Sequence, residues 1–162
     1  MDLSIIFNLF SSQEVQNFIA AYVAEKVVDG IINYVKKKFS KNSLEYELIE
    51  ALEDSLNETC LHYSWEYDSS AIVETFVISL NSFNHIDSDI LLKKVLEDAT
   101  EQMIDEDILN FWVFSFHKQV AKPERSWLNN YIAVNHLYFN SKVLNNIENK
   151  LLEEHNAESA IE

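Results

Sequence analysis

Apolar residues recur at every third or fourth position along most of this chain and nowhere alternate over a sustained stretch. That period matches the faces of helices rather than half-buried strands. Val15, Phe18, Ile19, Tyr22, Val27, Ile31, Ile32, Val35 and Phe39 form one such series, and Ser11 followed by Glu14 fits a capping box ahead of it. The spacing predicts one long helix over about residues 12–39. Lys36, Lys37 and Lys38 fall near its C-terminus, where cations suit the helix dipole. Leu3 to Phe10 reads as a short separate helix or an extended arm.

Further stripes follow. Leu44, Leu48, Leu52, Leu56, Cys60 and Tyr63 predict a helix that starts at Ser43, with Glu45 and Glu47 in its first turn. Asp68 is placed to cap a third helix bearing Ile72, Val73, Phe76, Val77 and Leu80. Asn81–Asp87 reads as a polar loop, and Ser88 as the cap of a short helix with Leu91, Leu92, Val95, Leu96 and Ala99. Asp105, Glu106 and Asp107 stand where the next helix begins. Its body, Ile108 to Val120, is apolar nearly all round, which places it centrally. Pro123 suits the first position of a last helix running to about Glu154, with a frayed tail over 156–162. The prediction is an all-α, single-domain bundle of five to seven helices over residues 1–162, its first and last helices long.

Composition narrows the chemistry. The chain holds one glycine, Gly30, and one proline, Pro123, in 162 residues. Phosphate-cradling loops and the nucleophile elbow need several glycines at fixed spacing, so both are excluded. Inside a helix Gly30 costs ~1 kcal/mol relative to alanine, which a close helix crossing would explain. One cysteine, Cys60, cannot form an intrachain disulfide and fits a reducing compartment. Leu3–Phe10 lacks the basic segment of a secretory signal, and Val15–Val35 is broken by Glu25, Lys26 and Asp29, too polar for a span. A cytoplasmic protein is expected.

Metal and catalytic constellations are not legible. No histidine follows a glutamate by three residues, and the His-Glu-x-x-His pattern is absent. The acids Asp105–Asp107 fit a helix N-terminus better than a Mg²⁺ site. His117 and His136 lie on aromatic-rich stretches and read as core or boundary residues, and Cys60 as inert core. No cofactor, no metal and no catalysis are expected. Small helical ribonucleases of the HEPN type resemble the chain in size. They carry an Arg separated by four to six residues from a His, whereas Arg125 is followed at positions 130–132 by Asn130, Tyr131 and Ile132. In the run from Pro123 to Tyr131, the packing reading turns Trp127 and Tyr131 inward and pairs Arg125 with an acid.

From Leu44 to about Ile147 the order of segments resembles a helical module that accompanies NACHT-type NTPases and related effectors in bacterial defence proteins. The Leu-periodic helix ending near Cys60–Trp65, the Ile-Val-Phe helix after Asp68, the aromatic run Phe111–Phe116 and the Arg125–Ile132 segment carry the likeness. It implies an adaptor or regulatory role in a conflict or antiphage system. No NTPase or effector domain is expected within these 162 residues.

The charge adds an alternative. Net charge is -15, and it is uneven: residues 1–42 hold five lysines against four acids, while residues 43–122 hold four lysines against seventeen acids. Such a field repels nucleic-acid phosphate and draws basic partners. An acidic immunity protein or nucleic-acid mimic that blocks a basic nuclease would use it, although the acids also serve solubility. The expected partner is a protein, basic or a second copy, with no direct nucleic-acid binding and no membrane contact favoured for the N-terminal helix. Candidate contact residues are Asp105, Glu106, Asp107, Arg125, Trp127, Lys36, Lys37 and Lys38.

Overall fold

Helix periodicity governs the structure, a computed structural model that describes residues 4–25, 30–64, 69–81, 93–98, 101–135 and 149–153. Every regular element among these residues is a helix and none is a strand. In chain order they are α1 (Ser4–Ser11), α2 (Gln13–Glu25), α3 (Gly30–Lys38), α4 (Leu44–His62), α5 (Ser69–Asn81), α6 (93–98), α7 (Glu106–Val120), α8 (Ser126–Val134) and α9 (149–153). That makes nine helical segments among the described residues, more than the five to seven that the periodicity suggests.

The single long helix over 12–39 is not found. Helix α2 ends at Glu25, and α3 begins at Gly30, whose φ is +83°. A right-handed helix cannot pass through that angle, and glycine reaches it without the clash a Cβ would suffer. Gly30 therefore divides the two helices instead of easing a close crossing. The N-terminal boundary also shifts. Ser11 is the last residue of α1, and Ser12 leads into α2, with its carbonyl accepting from Gln16 N at 2.9 Å. The Ser12 hydroxyl donates back to the Leu9 carbonyl at 2.7 Å, so the expected capping box at Ser11 does not form.

Other boundaries agree with the pattern. Ser43 caps α4 by accepting from Tyr46 N, and Asp105 caps α7 by accepting from Ile108 N. Pro123, however, precedes the last helix by three positions. It occupies the second place of a turn closed by the Arg125 N–H on the Lys122 carbonyl at 3.0 Å, a position its fixed φ suits. Helix α8 ends at Val134 with Asn135 as its C-cap, so the described part is short. The expected caps Asp68 and Ser88, the loop over 82–87, His85, His136, residues 137–148 and the tail lie outside the described residues.

The core forms where α4 and α7 pack along their lengths, the most extensive helix pairing among the described residues. Leu48, Leu52 and Leu56 of α4 meet Trp112, Val113 and Phe116 of α7, all almost fully buried. Ala51, Ser55 and Thr59 on the same face are small enough to let the helix axes approach. Phe76 of α5 packs on Trp112 with ring centroids 5.2 Å apart, and Phe10 of α1 closes over Phe76 at 5.8 Å. Burying each such side chain contributes roughly 1.5–3 kcal/mol. Cys60 is buried here, and burial pushes its thiol up, consistent with an inert core residue.

With glycine almost absent, two left-handed positions are held by other residues: Ser64 just past α4 and Glu101 before α7, each at φ 55°. We expect Ser64→Gly to raise stability by about 0.5–1 kcal/mol, because glycine removes the left-handed penalty at a helix end. Gly30→Ala should lower it by about 1–2 kcal/mol, since the new Cβ meets Glu74 Oε2 only at an ordinary 3.8 Å but sits at the wrong backbone angle. Urea unfolding of the two variants, moving in opposite directions, checks both.

Candidate functional site

One face of α4 carries acids at helical spacing: Glu47, Glu50, Asp54 and Glu58, with Glu53 beside them. Glu47 borders the buried stripe and the others turn away from it, so burial of the leucines fixes where these carboxylates point. Three polar nodes result: one ties α4 to both α7 and the start of α8, one ties it to α8 and one to α7.

The first is Arg125, the chain's one arginine. It stands at the N-cap position of α8 and is only 4% exposed. Its Nη1 donates to the Gln119 carbonyl at 2.8 Å and to Gln119 Oε1 at 3.3 Å. Its Nη2 donates to Asp54 Oδ2 at 2.8 Å and to Glu50 Oε1 at 3.3 Å. Nε has no hydrogen-bond partner among the described residues. The carboxylates are half-exposed, so the guanidinium carries most of the desolvation and its anions keep part of their water.

The second node is Glu47, buried on α4. Its two carboxylate oxygens accept from the Trp127 backbone N–H at 3.2 and 3.1 Å. Arg125 offers no side-chain cap to α8, so Glu47 supplies one from another helix, an anion set against the positive end of the helix dipole. Burial pushes the Glu47 carboxyl above its usual range; the Trp127 and Leu128 N–H groups and the Arg125 charge pull it back only in part.

The third node is Glu58. It accepts from Ser115 Oγ at 2.5 Å and Gln119 Nε2 at 2.7 Å, and pairs with Lys118 Nζ at 3.1 Å. Burial raises its carboxyl, but these three donors from α7 outweigh burial and hold it below the usual range. Gln119 thus joins two nodes, donating to Glu58 and accepting from Arg125.

Around the first two nodes a cleft of about 280 Å³ opens, with Lys41, Tyr46, Glu47, Lys122 and Arg125 in its walls. A second, of about 160 Å³, lies between α3 and α4 and includes Lys36, Tyr46 and Glu53. The two share Tyr46, Glu50 and Asp54.

The candidate residues from the sequence fall in three places. Arg125 pairs with acids as expected. Trp127 does not pack inward: it is 53% exposed beside the cleft, because α8 buries Leu128 and Ile132, one turn apart, on α4. Tyr131 is partly buried, and its hydroxyl donates to Glu14 Oε2 at 2.9 Å. Lys36 lines the second cleft, while Lys37 and Lys38 are exposed in the same turn and Lys38 approaches Glu25 at 3.9 Å. Asp105, Glu106 and Asp107 start α7, whereas the cleft adjoins its far end, roughly 20 Å away at 1.5 Å per residue. The acidic triplet is therefore separate from the site.

Glu47, Glu50 and Asp54 are the residues that sequence reasoning passes over. One signal could have found them. Glu47 lies three residues from Leu44 and four from Ala51, on the buried stripe, where an acid needs a partner.

Among the described residues no group of three or more His, Cys, Asp or Glu side chains is placed to hold a metal ion. None of the described helices is long and apolar enough to cross a membrane. No protein-family model, no curated protein and no solved structure matches this chain.

Two predictions follow from the nodes. Arg125→Ala should cost about 3 kcal/mol, since it removes the buried guanidinium that joins Gln119 to α4 and leaves two acids repelling each other; Asp54→Asn should cost less, because Glu50 still holds the guanidinium. Thermal unfolding of the two variants gives the order. The pH dependence has a sign for each carboxyl. Glu58 is held below its unfolded value, so its contribution is present above that value and is lost as pH falls through the folded one. Glu47 is held above its unfolded value, so ionising it costs stability and acidification returns that cost. The stability gap between the wild type and Glu58→Gln should therefore narrow on acidification, while the wild type gains on Glu47→Gln. Urea unfolding from neutral pH down to below the ordinary carboxylate range measures both.

Proposed function

We propose that this chain is a non-catalytic protein-interaction module of a bacterial conflict or antiphage defence system, working in the cytoplasm through a basic partner protein. The observation that carries the reading is the gathering of acids on one face of α4. Glu50 and Asp54 are half-exposed at the boundary of two adjoining clefts, and Glu47 and Glu53 stand in their walls. Among the described residues the exposed large apolar side chains are spread over six segments: Val23 on α2, Leu61 on α4, Ile78 on α5, Met103 before α7, Trp127 and Val134 at the two ends of α8, and Leu152 on α9. Charge, rather than an apolar patch, is thus the feature a partner would meet. The likeness of the segment order to NACHT-associated modules supports the defence-system setting.

The same face also supports a second reading, an acidic immunity protein that blocks a basic nuclease. The net charge of -15 favours fast, steered association with such a target. Both readings expect the partner to be captured through charge.

Affinity capture of partners at low and high salt, followed by a nuclease assay on what is retained, separates them. A basic protein held at low salt and released at high salt supports the module; inhibition of its nuclease activity by the added chain assigns the inhibitor role. Affinity should fall by roughly tenfold or more once the Debye length shrinks from about 30 to about 3 Å. Salt-independent capture, or self-association in light scattering with no basic partner, overturns the charge-led reading.

A further inference from the structure

The end of the α4–α7 pair farthest from Arg125 carries aromatic rings that the core does not use. His62, at the C-terminus of α4, stacks on Phe111 of α7 with centroids 4.1 Å apart and planes 16° from parallel. Tyr63 meets both rings edge-on, at 4.8 and 5.7 Å, and its hydroxyl donates to the Asp107 carbonyl at 3.3 Å. His62 is exposed and the other two rings are only partly buried, whereas Phe10, Phe76, Trp112 and Phe116 pack ring on ring in the core. Leu61, next to His62, is 82% exposed. Phe114, one turn beyond Phe111, is partly buried, with the Lys118 ammonium 5.7 Å from its ring centroid. An apolar strip thus runs along the outward face of α7 and onto the last turn of α4. One end of it is acidic. Asp107 precedes Phe111 by one turn and Glu106 adjoins it, both exposed, and neither side chain makes a hydrogen bond or ion pair among the described residues. The dipole of α7, worth about half a positive charge at its N-terminus, offsets only part of their charge. At the other end Lys118 is already paired with Glu58 at 3.1 Å.

We infer that this strip docks a basic amphipathic helix of a partner protein, its apolar side chains on Leu61, Phe111 and Phe114 and a lysine or arginine at Glu106 and Asp107. The inference rests on the charge-led interaction-module reading and adds a shaped contact to it, roughly two turns along α4 from Asp54. Charge complementarity selects the occupant. Two carboxylates without an internal cation favour a basic segment and repel an acidic one, and a second copy of this chain, at -15, brings mostly like charge. Neither part of the strip suffices alone. Exposed acids hold a cation weakly, because both charges stay in water. Covering Leu61 and the two phenylalanines removes apolar area from water and partly dries the adjoining carboxylates, which strengthens their pairing. A cation is also favoured at the face of an aromatic ring. The spacing suits a helix. Asp107, Phe111 and Phe114 rise about 10 Å over two turns, so side chains one turn apart on a partner helix meet them in step.

The test is a titration of the isotope-labelled full chain at low salt, followed by amide NMR shifts, with the amphipathic peptide LKKLLKLLKKLLKL as probe. Two peptides serve as comparisons: LEELLELLEELLEL keeps the apolar face and reverses the charge, and QKKQQKQQKKQQKQ keeps the charge and removes the apolar face. Saturable shifts confined to Leu61–Tyr63 and Glu106–Phe114 are expected, strongest for the leucine-lysine peptide, weaker for the glutamine-lysine one and absent for the acidic one. Two surface variants should each lower the affinity: Asp107→Asn roughly two- to fivefold, the size of an exposed charge contact, and Leu61→Gln roughly five- to tenfold, the size of a partly covered leucine. Circular dichroism confirms that both remain folded. Shifts centred elsewhere, equal binding of either comparison peptide, no saturation, or no loss of affinity in either variant overturns the assignment. Failure of the strip and failure of the module reading give different results. If the leucine-lysine peptide binds in a salt-sensitive way at Glu50 and Asp54 instead, the strip is wrong and the acidic surface of α4 stands. If neither cationic peptide binds at low salt, the interaction reading falls as well.

Discussion

A single buried guanidinium holds the C-terminal part of this bundle in place. Arg125 reaches α4 through Asp54 and Glu50 and α7 through Gln119, from the turn that launches α8. Buried charges of this kind add little net stability, because desolvation offsets most of the Coulomb gain. What such a group does is choose one arrangement over others. Any shift of α8 along α4 would pull the guanidinium away from its acceptors in a dry setting, which is costly. Leucine contacts alone would tolerate such a slide, being non-directional.

The same logic recurs where the chain lacks local means of ending and starting helices. Two helix N-termini are capped from a distance by glutamates: Glu47 of α4 holds the Trp127 N–H of α8, and Glu74 of α5 holds the Ile31 N–H of α3 at 2.7 Å. Glu74 also accepts from the Tyr22 hydroxyl, so it bridges α2 and α3 across the break at Gly30. Burial and the adjacent Glu74 charge together push the Tyr22 phenol up, keeping it the donor in this bond. Acids that look like surface charge in the sequence therefore act as connectors between helices. Their outward neighbours Glu50 and Asp54 hold Arg125 and remain half-exposed.

This division explains how the candidate site arises. The leucine face of α4 is committed to α7, so the carboxylates on its flank stand at the seam with α3 and α8. Placing several acids together is unfavourable unless cations share the space, and Arg125, Lys36, Lys41 and Lys122 line the same clefts. The result is a mixed-charge seam between α3, α4 and α8. Asp105–Asp107, the most conspicuous acidic run in the sequence, does something simpler at the start of α7. Asp105 caps the helix and the next two acids complement its dipole.

The hydrophobic period by itself determined the all-helical class, the central place of α7, the inward stripe of α4 and its start at Ser43, because these depend on residues within a turn or two of each other. Only the tertiary structure decided the rest. Gly30 is read as a weak spot in a helix until its φ is known, since the same residue serves both a helix interior and a left-handed break. Trp127 belongs inward by helical spacing, yet Leu128 and Ile132 take the buried face, and which of two apolar faces wins depends on the helix it meets. Glu47 and Arg125 lie 78 positions apart in the sequence, and no local pattern links them. Periodicity encodes which side of a helix is dry; it does not encode which helix lies opposite, and that pairing is what turned scattered acids into caps, ion pairs and a cleft.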